Sequence, residues 1–184
     1  MRPTEVLKSE HEAIKLMLSI TNAVCNKIES GEVVDPDDLA AIVDFIRGFA
    51  DECHHGKEEN LLFKEMEKAG FPREGGPIGV MLAEHTKGRD YVAKMRQAVT
   101  FLREREPNAS VIFVENARGY IQLLTNHIHK ENNILFPMAD QRLSSEIQTR
   151  LEEEFERFER EETGVEKHEE YHRLLYRLSD IYLK

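Results

Sequence analysis

Two similar stretches of sequence decide the fold: HIHKENNILF at residues 127–136 and HGKEENLLF at residues 55–63. In each stretch the first histidine lies four residues before a glutamate, and a Leu-Phe pair closes the stretch. Residues spaced by four share one face of an α-helix, so each stretch can present an imidazole and a carboxylate side by side. The pattern predicts helices, and its repetition predicts an internal duplication of one helical hairpin.

A Glu-His pair precedes each of these stretches and supports the duplication. The pairs are Glu10-His11 and Glu84-His85, and their histidines are 74 residues apart. The first histidines of the two longer stretches are 72 residues apart. Counted from the two hairpin turns, the four histidines lie at similar depth, about 30 Å along their helices. Four imidazoles from four helices are therefore predicted to converge on one layer.

The converging side chains form a candidate metal site. Imidazole and carboxylate together suit first-row transition metals, and imidazoles favour iron, zinc or copper over magnesium. Four histidines alone would suit one metal, whereas two carboxylates from opposite helices suggest two metals with each carboxylate bridging both. A single histidine on an apolar face is more often a core residue, but the paired and repeated pattern favours a site. The candidate ligands are His11, His55, Glu59, His85, His127 and Glu131.

The neighbours of these residues have weaker signals. His54 lies about 100° around the helix from His55, and His129 lies about 200° from His127, so both are predicted to miss the ligand face. Two readings stay open for the glutamates of the Glu-His pairs. They can accept hydrogen bonds from the ligand imidazoles, or they can be exposed helix acids.

Helix boundaries are clearly marked, whereas strand signals are nearly absent. Asp35-Pro36 and Pro77 suit helix starts, and Ser145 with Gln148 has the pattern of a capping box. We expect four long helices with short connections, which predicts an all-α, up-down-up-down four-helix bundle followed by two additional C-terminal helices. The predicted units are a metal-binding bundle over residues 1–140 and a helical extension over residues 141–184, packed on the bundle.

Composition excludes several classes of function. The 184 residues include 25 Lys and Arg against 35 Asp and Glu, a net charge of −10. Such an acidic chain is not expected to bind nucleic acid or an anionic membrane surface. We predict no transmembrane segment and find no signal-peptide core at the N-terminus. Two cysteines, Cys25 and Cys53, cannot form a disulfide framework, so a cytoplasmic location is expected.

The six candidate ligands, with Leu-Phe after each acid, resemble the hemerythrin-like (HHE cation-binding) domain over about residues 4–140. The resemblance implies a four-helix bundle around two non-haem iron ions, joined by an oxo or hydroxo bridge. Members of that family include oxygen carriers, oxygen, redox or iron sensors, and proteins that repair nitric-oxide-damaged iron–sulfur centres. Oxygen carriers place a fifth histidine four residues after the third-helix histidine. Here that position is Arg89, which argues against a plain oxygen carrier.

The resemblance therefore leads to a hypothesis with alternatives. The first is a di-iron protein that binds or reacts with a small molecule, such as O2, NO or peroxide, in sensing or stress defence. The alternative is iron delivery or repair of damaged iron–sulfur centres, and a structural metal module is a third reading. Ferritin-like oxidases use two Glu-x-x-His motifs within their bundle. This chain also has two such motifs, but the second, Glu169-x-x-His172, falls outside the predicted bundle, so this class fits less well. Metal and ligand binding is favoured over classical enzyme catalysis.

Overall fold

The computed structural model describes residues 1–184 and contains six helices and no strand. This confirms the predicted all-α class with extra C-terminal helices. We number the helices in chain order and treat directly continuous helical segments as one helix. They are α1 (Pro3–Glu29), α2 (residues 36–68), α3 (Pro77–Arg103), α4 (residues 109–142), α5 (residues 145–163) and α6 (Val165–Tyr182).

The first four helices form the bundle. Helix α2 packs on α3, α3 packs along α4, and α1 packs on both α2 and α4, which closes the ring. Short connections make successive helices antiparallel neighbours. Helices α5 and α6 lie against α1 and α2. The C-terminal helices therefore lie mainly on the α1 and α2 side of the bundle, and α5 also meets the end of α4, where the Gln148 side chain donates to the Asp140 carbonyl.

Helix starts and ends follow local chemistry. Asp35 caps α2 by accepting a hydrogen bond of 2.9 Å from the backbone N–H of Asp37, and Pro36 takes the first helical position. Helix α5 begins at Ser145, but its cap is Ser144 rather than Ser145, because the Ser144 hydroxyl accepts from the backbone N–H of Ile147 at 3.3 Å. The predicted capping box is therefore absent: the N-cap lies one residue earlier than predicted, and Gln148 donates instead to the carbonyl of Leu143.

Two helices change their winding where the candidate ligands lie. Helix α2 is π-helical at Ile46–His55 and again at Glu58–Leu62, and α4 is π-helical at Glu131–Leu135. In a π-helix each N–H bonds to a carbonyl five residues back, so one turn holds an extra residue. Side chains near these turns consequently point in directions that an α-helical wheel does not predict.

A polar layer divides the core into two apolar clusters. The larger cluster includes Ile14, Ala50, Val92 and Leu124, and the smaller includes Leu7, Leu62, Met81 and Leu135. In each of α1 to α4 the candidate ligands lie near the boundary between the two clusters. Both clusters also take up C-terminal residues: Leu151 and Phe155 join the smaller one, and Tyr171, Leu175 and Leu178 join the larger. None of the helices combines the length and apolar composition that crossing a bilayer would require.

Candidate metal centre

Seven buried side chains meet in the polar layer as two groups. The first position is formed by His11, His54, Glu58 and Glu131, and the second by His55, His85, His127 and Glu58. Within each group the ligand atoms lie within 4.8 Å of one another. Helices α1, α2 and α4 supply the first position, whereas α2, α3 and α4 supply the histidines of the second.

Two carboxylates span both positions. Glu131 Oε2 lies 3.2 Å from His11 Nε2, and its Oε1 lies 3.1 Å from His127 Nε2. Glu58 Oε1 lies 3.5 Å from His54 Nε2, and its Oε2 lies 3.3 Å from His85 Nε2. Each carboxylate thus turns one oxygen toward each position.

All five histidines use Nδ1 for an outward contact with an oxygen atom. A ring that donates its Nδ1–H keeps the Nε2 lone pair free, and outer contacts of this kind orient metal-bound histidines in many proteins. The five partners hold the rings so that their Nε2 atoms face the layer. The pairs are His11 with Asn132 (2.8 Å), His54 with Glu10 (2.7 Å), His55 with Asp51 (3.3 Å), His85 with Glu59 (2.7 Å) and His127 with Glu84 (2.8 Å).

The inward atoms have the character of metal ligands. Seven of them are buried without a hydrogen-bond partner: the Nε2 atoms of His11, His54 and His55, and both oxygens of Glu58 and Glu131. Buried polar atoms of a protein are nearly always hydrogen-bonded, and leaving one unpaired costs about 1–3 kcal/mol. Converging nitrogen and carboxylate donors would be satisfied together by first-row transition metals. The residues present therefore fit a pair of such metals.

The electrostatics of the layer couple histidine to carboxylate. Burial by itself would lower the pKa of His127, but the charge of Glu131 close to its ring, with a hydrogen bond to Glu84, raises it to about 10. The same contacts hold the pKa of Glu131 well below its ordinary value against the opposing effect of burial. Burial, with three neighbouring imidazoles, holds the pKa of His55 well below its ordinary value. A metal would therefore replace a proton at His127, whereas the ring of His55 is already neutral.

The structure does not bring Glu59 into either position. Its side chain is 25% exposed, and its Oε1 accepts hydrogen bonds of 2.7 Å from His85 Nδ1 and from Arg89. Burial would raise the pKa of Glu59, but these two contacts lower it to about 2. Glu58, fully buried, takes the place predicted for Glu59. The expectation that His54 misses the ligand face is also corrected, because the π-helical winding of α2 turns both His54 and His55 inward.

A sequence signal for this correction exists. The two Leu-Phe pairs, Leu62-Phe63 and Leu135-Phe136, are 73 residues apart rather than 72. An offset of 73 aligns residues 54–63 with residues 127–136 without a gap. It pairs the two Lys-Glu dipeptides and matches His54, not His55, with His127. His55 then corresponds to Ile128, so it is an imidazole without a counterpart in the second half.

Arg89 is held outside the layer. Its Nε donates to both oxygens of Asp51 at 2.9 and 3.0 Å, and its Nη2 donates to Glu59. Its partners are thus these two acids of α2, not the glutamates of the Glu-His pairs. Glu10 and Glu84, the glutamates of those pairs, accept hydrogen bonds from the imidazoles of His54 and His127. Of the two interpretations that the sequence left open for them, this is the hydrogen-bonding one. His129 is exposed, as expected from the helical wheel.

A cleft of about 290 Å³ opens beside the second position. His55 and His85 line its inner end, and neither His11 nor His54 does. Gly88 and Tyr120 form part of its wall, and a Cβ at position 88 would meet the Tyr120 ring at 3.5 Å. The second position is therefore the one that a small molecule can approach from solvent.

The comparisons with known proteins agree with this centre. The family model described as "Hemerythrin HHE cation binding domain" matches residues 2–139 of this chain. Iron-sulfur cluster repair protein YtfE from Yersinia pestis (strain Pestoides F) is 37% identical over 89 residues, which cover 47% of this chain and 40% of that protein. YtfE from Yersinia pseudotuberculosis serotype O:1b gives the same values. The matched region thus spans well under half the length of these relatives, and no solved structure matches the chain. The chain belongs to the hemerythrin HHE cation-binding domain family.

Proposed function

We propose that this protein is a non-haem di-iron protein that binds or reacts with a small molecule, such as O2, NO or peroxide, in sensing or stress defence. The observation that carries the proposal is the set of seven buried, unpartnered nitrogen and oxygen atoms that converge from three helices, with His85 of the fourth helix beside them. Family membership supports a cation in this layer. The donor set, rich in imidazole, favours iron over magnesium or calcium.

The residues divide between two metals. His11 and His54 would hold the first metal, and His55, His85 and His127 the second. Glu58 and Glu131 would be shared, since each turns one oxygen toward each position. Of the six ligands predicted from sequence, His11, His55, His85, His127 and Glu131 belong to this set, and Glu58 replaces Glu59. A solvent-derived oxo or hydroxo bridge would complete the pair.

Iron bound there would supply an open coordination position and a change of oxidation state to a small ligand. The protein's own residues control access to it. The cleft, of about 290 Å³, is lined by His55 and His85 and has room for a diatomic molecule or peroxide. Burial raises the pKa of Tyr120, so the cleft wall carries a neutral phenol. Arg89, Asp51 and Glu59 form a hydrogen-bonded set at the outer side of these histidines.

Metal analysis with an optical spectrum tests the proposal. Protein reconstituted anaerobically with ferrous iron and then desalted is expected to retain two irons per chain. After exposure to air it is expected to show the near-ultraviolet bands of a bridged ferric pair. Zinc or copper as the only metal retained by the protein purified from cells, or one iron at most after reconstitution, would contradict the assignment.

Delivery of iron to damaged iron–sulfur centres is a second candidate function. The similarity to proteins named for iron–sulfur cluster repair favours it. Under this alternative the metal is cargo, so reconstituted protein should transfer iron to an iron-depleted iron–sulfur protein without a free chelator. Iron that stays on the chain while O2, NO or peroxide changes its spectrum would favour the first function.

We also propose a division of labour along the chain. Residues 1–140 would form the metal-binding unit, and residues 141–184 a helical extension that modifies it. The packing of α5 and α6 on α1 and α2 supports this division.

A further inference from the structure

Lys57 is a fully buried lysine that the proposed metal ligands do not use. Its ammonium pairs with Glu10, which in turn accepts the Nδ1–H of His54 at 2.7 Å. A buried charge is costly unless it is paired, so these two residues are held together. The pair lies directly behind the first position, and it fixes the ring of His54.

Helix α5 covers this pair. Glu159 Oε2 lies 3.5 Å from Lys57 Nζ, and the centroid of the Phe155 ring lies 5.8 Å from the same atom. Phe158 packs so closely on Gly56 that a Cβ at that position would lie 2.8 Å from Phe158 Cζ. The contact needs a glycine in α2. Helix α5 therefore seals the back of the first position from water.

We call the Glu-Lys pair that holds the Nδ1 side of an inward histidine a clamp. The second half of the bundle repeats this clamp, but no helix covers it as α5 covers the first. His127 Nδ1 donates to Glu84 at 2.8 Å, and Glu84 pairs with Lys130. The Lys130 side chain is 34% exposed, against 0% for Lys57. A cleft also reaches His55 and His85 of the second position. The two positions thus have the same kind of clamp and opposite access to solvent.

We propose that the C-terminal extension makes the two metal positions unequal. It retains the metal at the first position by immobilising Lys57, Glu10 and His54, and it leaves the second position as the one that exchanges metal and meets small ligands. The inference rests on the proposed two-metal function. Glu10, Lys57 and Glu159 act in it as positioning residues, because none of them faces the metal layer directly.

The physical basis is the route by which a metal leaves. A ligand ring has to swing away, and water has to replace it. The ring of His54 cannot swing without breaking its hydrogen bond to Glu10, and Glu10 is anchored by Lys57 under the cover of α5. The ring of His127 has an equivalent bond, but water reaches its clamp directly. Loss of metal should therefore be slow at the first position and fast at the second.

Chelator kinetics test this inference. Full-length protein loaded with ferrous iron is mixed anaerobically with excess ferrous chelator, and the coloured complex is followed with time. We expect two phases of equal amplitude. Glu10→Gln removes the ion pair with Lys57 and the charge on the acceptor of His54, so it should accelerate the slow phase by about 10–100-fold, the usual effect of disturbing an outer contact of a metal-bound histidine. The matched variant Glu84→Gln should accelerate the fast phase and leave the slow phase unchanged.

A milder pair of variants tests the cover itself and guards against misfolding. Glu159→Gln, at a partly exposed position, should accelerate the slow phase at least about threefold, since one charged contact of Lys57 is lost. Glu156→Gln, an exposed acid of the same helix, should change neither phase. Release in a single phase by the wild-type protein, or equal effects of Glu10→Gln and Glu84→Gln on both phases, would overturn the inference. Failure of the proposed function is seen earlier, as an iron content below two per chain before the chelator is added.

Discussion

The two halves of the bundle surround the metal layer with the same contacts but place them in different environments. Each half has a Glu-Lys pair behind an inward histidine, Glu10 with Lys57 in the first half and Glu84 with Lys130 in the second. Beneath α5 the first pair is sealed, and the second pair is partly exposed. The difference teaches that a duplicated motif fixes the chemistry of a ligand, whereas packing outside the motif decides what reaches it.

The halves also differ by one inward-facing imidazole. Where the second half has Ile128, the first half has His55, whose ring stacks on His85 with 3.9 Å between centroids. In the proposed assignment, the second position consequently receives three imidazoles and the first position two. Arg89 does not supply the missing imidazole of the oxygen carriers, but His55 brings a ring to the same side of the centre from a different helix.

Removing a shared carboxylate should break both positions at once. Glu131→Ala and Glu58→Ala are each expected to lose both metals, because each carboxylate faces both positions. The neighbouring Glu59→Ala should keep both metals at saturating iron, with binding about tenfold weaker through the lost contact to His85. Metal analysis after desalting measures the effect. A Glu131→Ala protein that keeps one metal at full occupancy would refute the shared role.

Replacing Lys57 or Lys130, one at a time, should show how much more the buried pair contributes to the free energy of unfolding than the partly exposed pair. Lys57→Met leaves Glu10 in the interior without its ion pair and should cost about 3–5 kcal/mol of unfolding free energy. Lys130→Met breaks a partly exposed pair and should cost about 0–1 kcal/mol. Urea denaturation of the metal-free proteins measures both values. Equal losses in the two variants would show that the cover by α5 does not distinguish the halves.

Making the halves alike should weaken the second position. His55→Ile gives α2 the residue that α4 has at Ile128, and it removes one imidazole from the cleft side. We expect roughly tenfold weaker binding of the more weakly held iron. His129→Ile, at an exposed histidine, is the matched control and should leave iron binding unchanged. Competitive titration against a chelator gives the affinities, and an unaltered affinity in His55→Ile would remove that residue from the ligand set.

The pH dependence should have opposite signs with and without metal. In the metal-free protein, the pKa of His127 is raised from 6.5 to about 10, so its stabilising contribution is complete below pH 6.5 and is lost as pH rises through 10. The melting temperature of metal-free protein should fall over this range, by about 2–4 °C for each kcal/mol. Iron affinity should rise with pH, because ligation requires the neutral ring. If the melting temperature of a His127→Gln variant fell as steeply with pH as that of the wild type, titration of His127 would not be the cause of the fall.

Much of the architecture follows from sequence alone. Prolines and capping residues mark the helix ends, apolar residues at helical spacing supply the core, and short connections force antiparallel packing. The duplicated histidines and glutamates predict a polar layer crossed by four helices. These features are local or periodic, so they survive without knowledge of distant contacts.

Which of two adjacent residues faces the centre was decided by tertiary structure. The α-helical wheel separates His54 from His55 and selects Glu59, whereas the π-helical winding of α2 turns both histidines and Glu58 inward. The cover over Lys57 has the same origin, since Glu159 lies 102 residues away in sequence. A helix changes its winding only when packing outweighs the local preference, and a distant helix covers a site only when the folded chain brings it there. Sequence therefore determined the types of candidate ligand and their layer, and the fold determined which side chains face that layer and which of them solvent reaches.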